Sequence, residues 1–217
     1  MIRWNGMDIL ETLEELVDPK HTLLLLWDFA ENVAGKTFNA KTMVQQTAKL
    51  LDAARARQLR ICYSYQNNMY LVGDTGAPTV RMRMKRANRP VAEILKVPEP
   101  VGLSPRPKIM DAVMPRDDEI ILEKFAPNAF LGTCFEWWLK KFGVKTIILT
   151  GVNVATGISG TAREAINLGY YAVVVRDCVG TSSKEDYDVA LAAMDRLFDV
   201  VTADDIIDVW KRTSTGA

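Results

Sequence analysis

The sequence predicts an α/β fold, built as three α/β/α layers around a mostly parallel, doubly wound sheet of about six strands. Two observations carry this expectation. Short, continuously apolar runs recur along the chain, and each is followed by a stretch with helical periodicity. A strand that is apolar at every position is buried on both faces, which is the signature of a parallel sheet covered by helices. The order strand, helix, strand then requires crossover connections.

The elements follow in chain order. Residues 22–27 (TLLLLW) form the first strand, and residues 40–58 a helix whose apolar side includes Met43, Ala48, Leu50 and Leu51. Residues 61–65 (ICYSY), 120–123 (IILE), 146–150 (TIILT) and 171–175 (YAVVV) are the next four strands, and 200–202 closes the series. Helices are expected over about 132–142, 156–168, 184–197 and 203–212. The result is a Rossmann-like single domain over 1–217, interrupted by a Pro/Arg-rich insertion at about 66–118. Within that insertion TVRMRMKRANRP carries five positive charges and no negative ones. It reads either as a solvated helix face or as an arm that reaches a substrate or a neighbouring subunit.

Composition narrows the function. With 27 basic and 27 acidic residues the chain has no net field to attract nucleic acid. No apolar run approaches a membrane span, and the acidic start lacks a signal peptide's pattern. Three widely spaced cysteines, Cys62, Cys134 and Cys178, suit a reducing compartment, so a cytoplasmic location is expected. One histidine, His21, rules out a His-rich metal centre, and Asp28 with Asp177 is a poor ligand set. We expect no metal and no cofactor, a small-molecule substrate, no nucleic-acid or membrane partner, and a homo-oligomer.

Open parallel sheets bind ligands outside the carboxyl ends of their strands, so chemistry is sought just after each apolar run. Asp28 follows the first strand, where an apolar wall raises a carboxyl pKa toward acid–base use; the competing reading is a helix cap. Gln66, with Asn67 and Asn68, follows the second strand and can donate to and accept from a ligand. Lys124 follows the third, either as the partner of Asp28 or as a structural ion pair. After the fourth comes TGVNVATGISGTAREA, a loop opening into a helix whose N–H groups favour negative charge. It lacks the spacings of a nucleotide-binding loop.

Together LLLLWDF, EKFAPNAF, ILTGVNVATGISGTAREAINLGY and VVVRDCVGTSS resemble the isochorismatase-like hydrolase superfamily, over roughly residues 20–212. The resemblance implies a catalytic set of an Asp, a Lys and a Cys. Asp28 and Lys124 match the first two, but Gly157 stands at the cysteine position. Cys62, Cys134 and Cys178 lie elsewhere, in the core or in loops. Without a thiolate there is no acyl-enzyme route through that position.

Isochorismatases that also carry glycine there hydrolyse vinyl ethers, with the Asp as proton donor. By that likeness Asp28 is the acid or base, Lys124 orients it, and Gly157 leaves room for substrate or water. Gln66 matches a substrate-contacting glutamine, but Pro127 and Asn153 replace aromatic hydroxyls of the isochorismate pocket. Substrate contacts are expected from Phe29, Gln66, Asn153, Val154 and Thr156, and a non-proline cis peptide between Asn153 and Val154.

The reading that follows is a hydrolase of a small anionic molecule that uses no cysteine. Two alternatives stand beside it. One is an amide or ureide hydrolase, similar to N-carbamoylsarcosine amidase, whose nucleophile at 157 was lost or replaced. The other is a catalytically silent binding protein.

Overall fold

A computed structural model describes residues 1–67, 69–70, 76–94, 102–103 and 106–214. They fall into two compact units, one of Met1–Gln66 with Pro107–Ala217 and the other of Asn67–Arg106.

In the larger unit the chain begins with an antiparallel hairpin, β1 (Ile2–Trp4) and β2 (Met7–Ile9). Its turn is Asn5–Gly6, both with positive φ (48° and 80°) as a two-residue type I′ turn requires. The short helix α1 (Leu13–Leu16) leads into β3 (Thr22–Trp27), which is buried at every position. After the single turn α2 (Glu31–Ala34) comes α3 (Ala40–Ala56), then β4 (Arg60–Gln66).

The smaller unit contains β5 (Met69–Tyr70), α4 (Ala77–Ala87), α5 (Val91–Ile94) and β6 (Gly102–Leu103). The basic segment lies largely on α4, which has no buried residue and ends on Asn88 in the left-handed conformation, φ 50°. Asn68 lies outside the described residues.

The larger unit resumes with β7 (Ile120–Lys124), α6 (Phe135–Lys141) and β8 (Thr146–Val152). A single π-helical turn, Val154–Ile158, runs straight into α7 (Ser159–Asn167). The chain then forms β9 (Tyr171–Gly180), α8 (Lys184–Met194), β10 (Asp199–Val201) and α9 (Ala203–Ser214).

Six of these strands make one parallel sheet in the order β10-β9-β8-β3-β4-β7. The order reverses between β3 and β8, so the sheet has the doubly wound topology and its switch point lies there. Alternation of side chains explains why β3 is apolar throughout. Leu24 and Leu26 pack with Met43, Leu50 and Leu51 of α3 and Ile206 and Trp210 of α9. Leu23, Leu25 and Trp27 pack on the other face with Phe135 and Leu139 of α6 and Ala162 and Ala165 of α7.

Two expected boundaries move. β9 continues past Val175 to Gly180, so Cys178 is inside the strand rather than after it. The polar Arg176–Asp177 pair hides this in the sequence. It falls where β9 bulges, with Leu149 opposite Val174 but Gly151 opposite Val179. Asp177 accepts the Ala203 N–H at 2.9 Å and so caps α9. The helix expected over 156–168 is divided, because Val154–Ile158 winds as a π turn first. Among the described residues no helix is long and apolar enough to cross a membrane.

Candidate active site

The carboxyl ends of β3, β4 and β7 converge on one buried ion pair. Asp28 is the first residue past β3 and adopts φ 51°, a left-handed conformation that Asp tolerates better than most residues. Its N–H donates to the Ser64 carbonyl at 2.9 Å, which keeps it in line with β4. Lys124 ends β7 and is completely buried, while the Asp28 side chain keeps 15% of its surface. Lys124 Nζ donates to both Asp28 carboxylate oxygens at 2.9 Å and to Gln66 Oε1 at 3.3 Å. The register Gln66↔Lys124 puts these two side chains on adjacent strands and the same face.

Burial acts on both charges. It raises the Asp28 pKa above the ordinary carboxylate value, against the opposing pull of the Lys124 charge and smaller contributions from the Gln66 backbone and the Trp27 indole. It lowers the Lys124 pKa, with Asp28 opposing. The pair is therefore held nearer to proton exchange than two surface groups would be, a condition suited to general acid–base work.

Gly157 sits buried in the π turn. Its backbone needs no glycine conformation, but its surroundings do. A Cβ there would lie 2.7 Å from Cε2, Cζ2 and Nε1 of Trp27, far inside contact distance. Trp27 is 1% exposed and cannot swing into solvent. The same indole carries Lys124 Nζ over its ring, 4.2 Å from the centroid. Trp27 is the residue that sequence reasoning missed; the available signal was a tryptophan directly before Asp28 in a chain with glycine at 157.

The other expected contacts separate. Val154 is fully buried in the same cluster as Trp27. Asn153 is half-buried, and its side chain accepts the Ala155 N–H at 2.8 Å as the cap of the π turn. Thr156 is exposed on that turn. Phe29, 2% exposed, belongs to the α3–α9 core cluster, whereas Trp27 belongs to the cluster on the other face. Side chains of successive residues leave the backbone in different directions, and Trp27 and Asp28 are the ones that meet Lys124. The non-proline cis peptide joins Val152 to Asn153, one bond earlier than expected. The bend falls where β8 ends, with Asn153 already serving as cap.

No cysteine replaces the missing thiol. Cys62 and Cys178 are buried within β4 and β9, and burial pushes both thiols well above their usual range. Cys134 is exposed at the start of α6. His21 precedes β3, at the end of the strand opposite Asp28. Among the described residues no three His, Cys, Asp or Glu side chains gather as a metal set.

A family model described as the isochorismatase domain matches residues 22–205. The maleamate amidohydrolase of Pseudomonas putida is 32% identical over 103 residues, 47% of this chain and 48% of the relative. The N-carbamoylsarcosine amidase of an Arthrobacter species is 27% identical over 140 residues, 64% of this chain and 50% of the relative. The chain thus spans about half the length of these curated relatives. A cysteine hydrolase from Pseudomonas syringae pv. phaseolicola has the same fold, with a TM-score of 0.71 at 23% identity over 91% of this chain and 95% of that one.

Proposed function

This chain belongs to the isochorismatase family, and we propose that it is a hydrolase of a small anionic molecule that works without a cysteine nucleophile. Asp28 is the general acid or base and Lys124 its orienting partner. The observation that carries this reading is the fully buried Lys124 with its Nζ equidistant, at 2.9 Å, from both oxygens of Asp28. A carboxylate held in this way presents its remaining lone pairs or its proton in one direction, with 15% of its side chain still open.

The Lys124 ammonium beside Asp28 supports an anionic substrate. When Asp28 is protonated, Lys124 leaves one positive charge in the site, and an anion approaching it recovers the charge balance lost on protonation. On a vinyl ether the reaction begins with proton transfer. Asp28 gives its proton to the terminal alkene carbon, and the ether oxygen supplies electron density to form an oxocarbenium ion. Water adds to the oxygen-bearing carbon of that cation, and its proton returns to the Asp28 carboxylate. The hemiketal then collapses to a carbonyl compound and an alcohol.

The amide-hydrolase alternative is disfavoured by space. The indole of Trp27 fills the volume a side chain at 157 would need, so a cysteine there is not one substitution away. Trp27 is equally compatible with a silent binding protein, and experiment separates that reading. Wild type and Asp28→Asn are assayed on vinyl ethers, amides and ureides carrying a carboxylate. Hydrolysis by wild type that is lost in Asp28→Asn supports the proposal. Tight binding of such acids with no turnover of any of them overturns it in favour of a binding protein.

A further inference from the structure

Lys124 has an unusual environment for an ammonium group. It is fully enclosed, it donates hydrogen bonds to Asp28 and Gln66, and its ammonium also lies over an aromatic ring. Enclosure favours the neutral amine. A ring face within about 6 Å favours the cation, because the quadrupole of the indole presents negative potential, and the effect grows when water is excluded. The ring is also fixed in place. Trp27 ends β3, with its backbone between Ser64 of β4 and Gly151 of β8. Gly151 approaches it so closely that a Cβ there would lie 1.9 Å from the Trp27 carbonyl oxygen. The backbone at 27 therefore cannot retreat, and any intrusion on the indole must be relieved by rotating the ring relative to Lys124.

We propose that Trp27 is a positioning residue that keeps Lys124 protonated beside Asp28, and that residue 157 is glycine because this indole occupies the space of its side chain. Trp27 and Gly157 act as one matched unit: the first sets the charge of the lysine, and the second leaves the ring where it must be. The inference rests on reading Lys124 as the partner of a working Asp28, but its test needs no substrate. Failure of the hydrolase reading would appear in the turnover assays above, whereas failure of this inference would appear in the protonation of Lys124.

The test is a pH titration by NMR of the full chain carrying lysine labelled with 13C at Cε, with the Lys124 resonance assigned by its absence in Lys124→Met. Trp27→Leu removes the ring, Trp27→Phe keeps a smaller one, and Gly157→Ala displaces it. Trp27→Leu should weaken proton binding by Lys124 by about tenfold, with Trp27→Phe intermediate. Gly157→Ala should shift the titration in the same direction, and adding it to Trp27→Leu should produce little further change, because the two act through one contact. Trp27→Phe adds no volume and retains most of the packing, so it keeps the test valid if the Leu or Ala variant does not fold. A Lys124 titration unchanged in Trp27→Phe and Trp27→Leu overturns the proposal, as do fully additive effects of Gly157→Ala and Trp27→Leu.

Discussion

Replacing Lys124 with Met tests the ion pair most directly. Met is close to Lys in volume and apolar, so packing around position 124 changes little. What changes is the electrostatics of Asp28, left mostly buried with no opposing charge. Removing one member of a buried pair costs on the order of 3–5 kcal/mol, and the 15% exposure of Asp28 places this case near 3 kcal/mol. The cost should depend on pH in a definite sense. Burial already raises the Asp28 pKa in the folded protein, and loss of Lys124 raises it further. A raised folded pKa contributes stability that is fully present below the unfolded carboxylate pKa and is lost as pH rises through the folded one. Lys124→Met should therefore be nearest to wild type in acid and show its full deficit above the folded Asp28 pKa. Urea unfolding at several pH values, with midpoint and slope compared, measures this. Asp28→Asn in the Lys124→Met background should recover stability at high pH. A deficit below about 1 kcal/mol, or one that does not vary with pH, would refute the argument.

Further expectations follow from the same geometry. If Asp28 acts as the acid, kcat/KM should fall as pH rises through its raised pKa, because only the protonated form donates; a rate that rises with pH over that range would assign it the role of base. Gly151→Ala combines φ +109° with a Cβ 1.9 Å from the Trp27 carbonyl and should cost about 3 kcal/mol or more; a urea midpoint close to wild type would contradict the close approach of β8 to β3. In thiol alkylation of the native protein Cys134 should react first, while Cys62 and Cys178 should stay protected until unfolding. Rapid labelling of Cys62 at native pH, followed by mass spectrometry, would show that β4 is not buried as described.

The sequence alone located the strands of the parallel sheet, because a strand covered on both faces is apolar at every position: TLLLLW forms a strand over its full length, as expected. It also located Asp28, Gln66 and Lys124, since a polar residue directly after a buried run must lie at the strand mouth. It carried the N-terminal hairpin too, in Asn5–Gly6, though the flanking IRW and MDI are short enough to escape notice. It did not show that β9 continues through Arg176 and Asp177, because a bulge interrupts the apolar pattern that reveals a strand. Nor did it reveal Trp27, which reads in sequence as one more apolar residue of β3. Only the tertiary structure decides what that ring touches. β3, β7 and the turn after β8 are far apart in the chain, and the sheet order β8-β3-β4-β7 brings their carboxyl ends within contact distance. There the absence of a side chain at 157 becomes the presence of an indole, and the charge of Lys124 acquires its third neighbour.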